Sequence, residues 1–301
     1  MNKLFVILIL TAAFITSCET YPQDEYEEFY VVESYLVANR ELPKVRLSTT
    51  SEATELYDFE ELAINDANVE IQLLEAGPES NVAETFNYAN EFPGLYFPQV
   101  IHEVLPARTY KIEITFPELP DIITAHTVVP DTFQILSGVQ DTVVYQSSEQ
   151  LEITLSESSY PGRQNIFVFN ALSLNPDERL LTPLYSELYK DGDQTEESLL
   201  NFANNSSGII NQGNFDVNPD GSFTIKFPWI GIAFYQDNLI VANTMDDNIY
   251  DFIRSQEVQL GGSTLSPGEM QNIITHVRGG IGVFGSVASD TVQTYVKRAL
   301  F

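Results

Sequence analysis

The side chains that most often bind metals or act as nucleophiles are few here: three histidines, His102, His126 and His276, and one cysteine, Cys18. A structural zinc site takes four ligands, mostly Cys and His, and a zinc peptidase carries an HExxH helix. The three histidines are far apart and none belongs to such a motif. The GxSxG turn of the α/β-hydrolases is also missing. We therefore predict no catalytic residue, no metal site and no cofactor, and we place His102 and His126 in strands.

Residues 216–221 read Asp-Val-Asn-Pro-Asp-Gly, which matches the opening of an EF-hand calcium loop. Phe227 occupies the position where that loop needs its closing glutamate. The stretch SFTIKF that follows alternates like a strand, whereas an EF-hand continues into a helix. Asn-Pro-Asp-Gly is typical of a turn between two strands. We predict a hairpin turn here and no calcium site.

Carboxylates and aromatic rings leave two further chemistries open. With 43 acidic residues, some carboxylates must lie in pairs, as glycoside hydrolysis requires, but no two of them stand out. A group of aromatic residues in the second half could stack on sugar rings or lie in the core: Tyr185, Tyr189, Trp229, Phe234 and Tyr235. A place in the core or at an interface is the better prediction for most of them.

Cys18 has a position that predicts a modification. Lys3 precedes a run of apolar and small residues, Leu4–Ile15, with the length of the apolar region of a secretory signal. The sequence Ile15-Thr16-Ser17-Cys18 resembles the bacterial lipobox, in which the cysteine is acylated and becomes the first residue. Several acyl chains on one cysteine give stable membrane anchoring. The alternatives are an unmodified cysteine beside an ordinary cleavage site and an uncleaved N-terminal anchor.

The segment 18–28 is rich in acid and is predicted to be a flexible tether. It is also similar to the acidic signals that follow the lipid cysteine in surface lipoproteins of Bacteroidota. The formal net charge is −29, and Lys3 is the only charged residue before Cys18. So negative a surface repels a phosphate backbone, which excludes nucleic acid as a partner. We expect an outer-membrane protein held by lipid, on the cell surface in preference to the periplasmic face.

The body of the chain is predicted to be all-β, with two antiparallel β-sandwich-like domains. In NVEIQLLEAG and TYKIEITF, apolar residues at every second position predict strands with one buried face and one wet face. Val69, Ile71 and Leu73 lie on one face and Glu70 and Gln72 on the other. Short strands separated by Pro and Gly turns favour a sandwich over residues 29–130.

Residues 131–301 are predicted to form a second β-rich domain with one or two short helices, after a boundary near Val129-Pro130-Asp131. One helix is expected over Thr195–Asn204, with a capping box from Asp193 and Glu196. The other is expected over Met245–Ile253, where apolar residues recur at helical spacing. The glycines of GGIGVFGS indicate a strand whose backbone closely approaches another.

Taken together, these stretches resemble domain-of-unknown-function family 4249, a group of Bacteroidota lipoproteins, over residues 18–301. The shared features are the lipobox, FYVVESYL, DANVEIQL, PGLYF, LPARTYKIEIT, the VVP boundary and GGIGVFGS. The segment from Ala67 to Thr115 is also similar to prealbumin-like and carboxypeptidase-regulatory-like sandwiches. Members of the group are often encoded beside TonB-dependent outer-membrane receptors, which implies an accessory role at the envelope. The family carries no established catalytic residues.

The sequence thus favours a lipid-anchored, non-enzymatic binding or accessory subunit, with a TonB-dependent receptor as its expected partner. A surface hydrolase that uses paired carboxylates remains an alternative, as does a structural or adhesive surface protein. The ligand is not identified by any motif in the chain.

Overall fold

The computed structural model of the chain describes residues 26–52, 54–117, 120, 122–137, 141–148, 151–257 and 273–299. Cys18, the predicted signal segment 1–17 and most of the predicted tether lie outside the described residues. The predicted all-β class is confirmed, since strands dominate. In chain order the strands are β1 Tyr30–Val37, β2 Val45–Thr49, β3 Asn68–Leu74, β4 Val82–Phe92, β5 Leu95–Pro98, β6 Thr109–Thr115, β7 Ile122–Val128, β8 Ile135–Ser137, β9 Thr142–Val144, β10 Leu151–Leu155, β11 Ile166–Ser173, β12 Asn204–Ser206, β13 Ile210–Asn211, β14 Phe223–Phe227, β15 Gln236–Met245 and β16 Ile281–Lys297.

Most strands belong to one continuous sheet in the order β12-β11-β15-β16-β1-β2-β5-β4-β3-β6-β7. Strand β13 pairs with β11 and β9 pairs with β16, while β14, β10 and β8 form a smaller separate sheet. Among the described pairs, neighbours are antiparallel except at two places, β1 with β16 and β9 with β16, where they are parallel. The predicted boundary near residue 130 stays a prediction, and the large sheet contains strands from both sides of it.

Strand β16 is long enough to serve both halves of the large sheet. Its first part pairs in parallel with β1, from Ile281 opposite Val31 to Val287 opposite Val37. Its second part pairs in antiparallel with β15, from Val287 opposite Met245 to Val296 opposite Gln236. The last strand of the chain therefore joins the first strand to the C-terminal part of the sheet.

Gly282 of β16, and Gly280 just before the strand, permit this pairing, as the sequence predicted. Gly282 has a φ of 105°, and a Cβ added to it would lie 2.2 Å from the carbonyl oxygen of Val32. At Gly280 an added Cβ would lie 2.8 Å from the carbonyl oxygen of Tyr30. Any side chain at these positions would collide with the backbone of β1, so the predicted close approach is confirmed.

The alternation predicted for β3 and β6 is confirmed at the apolar positions, which are all buried: Val69, Ile71, Leu73, Tyr110, Ile112 and Ile114. Gln72, which was expected on the wet face, is buried instead. Its cross-strand neighbours are Lys111 and Thr85, and directly opposed residues of an antiparallel pair lie on the same face. The central place of β3 between two partners buries the amide, which donates from Nε2 to Glu70.

The described residues contain three α-helices, all after residue 180: α1 Pro183–Asp191, α2 Glu196–Ala203 and α3 Asp247–Glu257. Helix α2 confirms the helix predicted there, but its cap differs from the predicted capping box. Thr195 is the N-cap, and its hydroxyl accepts a hydrogen bond of 3.1 Å from the backbone N–H of Ser198. Helix α3 begins two residues later than predicted, and α1 was not predicted.

Within the described residues, no helix combines the length and the apolar character that a membrane crossing demands.

Candidate functional site

A groove of about 500 Å³ opens beside the hairpin formed by β4 and β5. Two loops complete it, one between β1 and β2 and one between β5 and β6. We call it the hairpin groove, and its lining residues are Glu41, Leu42, Lys44, Glu91, Phe97, Pro98, Gln99, Val100 and Ile101.

The loop after β5 is held in place by backbone hydrogen bonds to the loop after β1. Leu42 N–H donates to the carbonyl of His102 at 3.0 Å, and Val104 N–H donates to the carbonyl of Arg40 at 2.8 Å. The carbonyl of Val104 in turn accepts a hydrogen bond of 2.9 Å from Asn39 N–H. These three bonds fix residues 39–42 to residues 102–104, although neither segment belongs to a strand of the sheet.

His102 anchors the same loop to the core. The histidine lies in a loop and not in a strand, which corrects the prediction for this residue. Its ring packs on Phe86 with centroids 4.1 Å apart, and its Nε2 lies 3.0 Å from the hydroxyl of Tyr110. Burial lowers the pKa of His102 below its usual value, so the ring is neutral at pH 7. The imidazole is thus an inward structural group, while its neighbour Ile101 faces out.

The hairpin forms the other wall of the groove. Gly94 makes its tight turn with a φ of 62°, and the carboxamide oxygen of Asn65 accepts a hydrogen bond of 2.8 Å from Gly94 N–H. Farther along β4, the Tyr88 hydroxyl donates to the carbonyl of Pro43 at 3.0 Å, which ties the hairpin to the loop after β1. Burial raises the pKa of Tyr88, so this hydroxyl stays protonated as a donor.

The lining combines apolar and charged residues. Five of its nine residues are apolar, and the others are one lysine, two glutamates and one amide. Ile101 is 86% exposed and Val100 is 52% exposed, so two adjacent large aliphatic side chains face solvent on this loop. Protein-protein interfaces also combine apolar and polar side chains. The groove is therefore suited to binding, and its lining brings together no hydroxyl nucleophile and base.

The family model described as "Domain of unknown function (DUF4249)" matches residues 17–293. The chain belongs to this family. No curated protein matches the chain.

Among solved structures, the chain is similar to the three N-terminal domains of the Highly Immunogenic Outer Capsid protein (Hoc) of bacteriophage RB49. The identity is 12% and the TM-score 0.22, over 91% of this chain and 71% of that one. Alpha-2-macroglobulin of Escherichia coli, activated by porcine elastase, has 9% identity and a TM-score of 0.25, over 90% of this chain and 23% of that one. The chicken CNTN1 FN1-FN3 domains have 13% identity and a TM-score of 0.19, over 71% of this chain and 57% of theirs. The chain spans less than two thirds of the length of the last two proteins.

Most of the aromatic residues considered for sugar stacking are in the core. Tyr185, Tyr189, Phe234 and Tyr235 are buried, which confirms the core prediction for them. Trp229 is half-buried, and its ring lies 5.6 Å from that of Tyr145.

Beside these aromatic residues lies a second, smaller cleft, between β12 and residues 227–231, with a volume of about 340 Å³. In it the Tyr185 hydroxyl donates to the carbonyl of Ile230 at 3.0 Å, and the Asn205 amide donates to the carbonyl of Gly231 at 3.1 Å. Both polar groups therefore stabilise the backbone of residues 230–231, which forms one wall of the cleft.

The hairpin turn predicted at the calcium-like fragment is confirmed. Gly221 N–H donates to the carbonyl of Asn218 at 2.9 Å, and β14 begins directly afterwards at Phe223. Asp220 accepts from both the backbone N–H and the hydroxyl of Ser222, which lowers its pKa. Its carboxylate thus stabilises the turn.

The two other histidines are also accounted for. His126 lies in β7 as predicted, and its pKa is lowered by burial and by the charges of Lys111 and Arg278. His276 lies near the C-terminus with its Nε2 at 2.8 Å from a carboxylate oxygen of Asp251. Across the residues that the structure describes, no three His, Cys, Asp or Glu side chains are grouped to hold a metal ion.

Sequence reasoning did not identify the hairpin groove. A weak signal is present in Val100-Ile101, where two adjacent aliphatic residues follow Pro98-Gln99 and precede His102-Glu103. Alternation along an extended chain would turn only one of the two toward solvent, whereas both are exposed. The path of this loop depends on the anchoring of His102, which involves contacts that are remote in sequence.

Proposed function

We propose that this protein is a lipid-anchored protein of the cell envelope that binds a protein partner and has no enzymatic activity. In this proposal the lipid is carried by Cys18, the membrane is the outer membrane, and the cell surface is favoured over the periplasmic face. The partner is a TonB-dependent receptor, of which this chain is an accessory subunit. The observation that carries the binding role is the exposed Val100-Ile101 pair on the rigid loop of the hairpin groove.

The rigidity of the loop supports binding because ordering a flexible loop on association reduces affinity. The backbone hydrogen bonds of Leu42 and Val104, and the packing of the His102 ring on Phe86, order this loop before any partner arrives. Lys44, Glu41 and Glu91 in the lining supply charges of both signs, which favour one orientation of the partner over others.

The anchoring part of the proposal is tested with Cys18→Ser. The expected result is that the wild-type chain fractionates with membranes and labels with a radioactive fatty acid, whereas the variant does neither. Accessibility to protease added to intact cells then reports the face of the membrane. Unchanged membrane retention of Cys18→Ser would contradict lipid anchoring, and it would leave the binding role of the groove untouched.

The partner is tested by copurification from solubilised membranes with Ile101→Ser. Replacing a side chain that is 86% exposed leaves the core intact, so the variant should fold normally while it loses apolar contact area. Leu56→Ser is the matched control, because Leu56 is 97% exposed and is not part of the groove. We expect a TonB-dependent receptor to copurify with the wild type and the control, and its recovery to fall about tenfold with Ile101→Ser, as for the loss of one well-packed contact residue. Equal recovery with both variants, or repeated absence of the receptor from the wild type, would contradict the proposal.

A further inference from the structure

A buried carboxylate joins three elements that are far apart in the sequence. Asp246 lies between β15 and α3 and is 1% exposed, and it contacts Thr127 of β7, which is also 1% exposed. Thr127 in turn contacts Ser286 of β16, which is fully buried. An acidic side chain so thoroughly removed from water is rare unless it is paired with a cation, and here the carboxylate contacts a hydroxyl group and a backbone N–H.

The contacts of this cluster form a chain of oxygen atoms. A carboxylate oxygen of Asp246 lies 2.5 Å from the Thr127 hydroxyl, which lies 2.5 Å from the Ser286 hydroxyl. The Ser286 hydroxyl lies 3.1 Å from the carbonyl oxygen of Val128. The other carboxylate oxygen accepts a hydrogen bond of 2.9 Å from Ile249 N–H and so caps α3.

This row of oxygen atoms has fewer hydroxyl protons than oxygen-oxygen contacts. Three oxygen-oxygen contacts each need one proton, and the hydroxyls of Thr127 and Ser286 supply two. When Asp246 is ionised, one of the three contacts is therefore left without a hydrogen bond. When Asp246 is protonated, it donates to Thr127, Thr127 donates to Ser286 and Ser286 donates to Val128, so every contact is satisfied.

We propose that Asp246 is a proton-operated latch between β7 and the start of α3, closed when the carboxyl group is protonated and loosened when it is ionised. Asn248 of α3 contributes to the same connection. Its side-chain amide donates to the carbonyl oxygen of His126 at 2.6 Å and to that of Phe284 at 2.7 Å. Loosening the latch frees the edge strand β7 from α3, and it lets water reach the carboxylate.

The charges around the latch agree with this assignment. Asp247, the first residue of α3, forms an ion pair with Arg163. The guanidinium of Arg163 also lies over the ring of Tyr160, 4.0 Å from its centre. The positive charge of Arg163 is therefore paired with Asp247. Tyr160 faces the pair of acids, and burial raises its pKa, so it stays neutral. His126, next to Thr127 on β7, has a lowered pKa and is neutral above pH 6.5.

The pKa of Asp246 is raised to about 6, chiefly by burial. A carboxyl group that is buried when the latch is closed and solvated when it is open makes opening more favourable as the pH rises. With an ordinary value of 3.8 in the open state, opening becomes roughly 20-fold more favourable between about pH 4.5 and pH 7.5.

The experiment is hydrogen-deuterium exchange of the full chain, read by mass spectrometry on peptides covering β7 and α3. Each rate is divided by that of the unfolded peptide at the same pH, which removes the chemical pH dependence of exchange. We expect protection of these peptides in the wild type to fall roughly 20-fold over that pH range. In Asp246→Asn it should be independent of pH, because the carboxamide can donate at any pH. Asp247→Asn, which removes the adjacent acid, should behave like the wild type.

A second variant keeps the test decisive if Asp246→Asn does not fold. Thr127→Val retains the shape of the side chain and the acid, but it removes the hydroxyl that donates to the ionised carboxylate. The fall in protection should then occur at higher pH than in the wild type, because the ionised form loses its donor. A pH-independent wild type, or a midpoint unchanged by Thr127→Val, would overturn the proposal. So would a pH dependence that is removed by Asp247→Asn.

Discussion

The close contact between β1 and β16 predicts a large loss of stability on replacing Gly282 with alanine. Gly282 has a φ of 105°, which an L-residue rarely adopts, and its added Cβ would lie 2.2 Å from the carbonyl oxygen of Val32. The same Cβ would lie 3.0 Å from the nitrogen of Val32, so it overlaps two backbone atoms of that residue and no side chain. A turn of a side chain therefore cannot relieve it.

The magnitude follows from two contributions. Holding alanine in this backbone conformation costs about 1–3 kcal/mol. Ordinary contact begins at 3.4 Å, so the two strands must separate by roughly 1 Å, which weakens the ladder bonds beside Gly282 and Val32. Losing two such hydrogen bonds destabilises the fold by about 1–3 kcal/mol. We expect a total of about 4 kcal/mol, against a free energy of unfolding of about 5–15 kcal/mol for a typical protein.

Two control variants separate the contributions. Gly162→Ala places alanine at a φ of 80° with no atom within 4 Å of the new Cβ, so it reports the backbone strain alone. Gly77→Ala has neither positive φ nor a close neighbour and should change the free energy of unfolding by less than about 0.5 kcal/mol. Urea unfolding, followed by far-ultraviolet circular dichroism at one pH, measures all three. If Gly282→Ala is no less stable than Gly162→Ala, the parallel contact between β1 and β16 is not as described.

Further predictions concern the core, a helix cap and the pH dependence of stability. Tyr96→Phe should reduce the free energy of unfolding by about 1–3 kcal/mol, because the buried hydroxyl accepts from Ala67 N–H and donates to the carbonyl of Ile64; chemical denaturation measures this. Thr195→Ala should cost about 1 kcal/mol by removing the cap of α2, with Thr195→Ser as the control that keeps the hydroxyl; thermal unfolding compares the two. For Asp246 the folded-state pKa of about 6 exceeds the ordinary 3.8, so the folded state binds more protons between these values and stability falls as the pH rises. Between pH 3.8 and pH 6, the difference in the free energy of unfolding between the wild type and Asp246→Asn should change by about 2 kcal/mol, as urea unfolding measures, and parallel curves would contradict it.

The strands of this protein could be predicted from local patterns, but their partners could not. The apolar alternation in β6 identifies its buried face, because period 2 is a property of the strand itself. The glycines of β16 predict a close backbone neighbour, yet nothing near Gly282 indicates that the neighbour is Val32 at the other end of the chain. Helix α1 carries Pro183 at its first turn, a helix-start signal that the sequence analysis did not use.

The candidate sites were less predictable for the same reason. The helix predicted over Met245–Ile253 places Asp246 in its first turn, where acids are common. Its burial depends on Thr127 and Ser286, which approach it only in the folded sheet. Ile101 is exposed because His102 turns inward to Phe86, a contact between residues on different strands and loops. Sequence patterns report which face of an element is apolar, whereas burial of a single polar group is decided by tertiary contacts.

The place of β16 at the end of the chain has a consequence for the order of folding. While the chain is being made, β1 has β2 on one side, and its other edge has no partner until residues 281–287 emerge. An open strand edge can pair with a neighbouring chain, so a chain in which residues 281–287 have not yet been made is prone to aggregation. A fragment that ends before Ile281 should therefore self-associate through β1, even though all the other N-terminal strands are present.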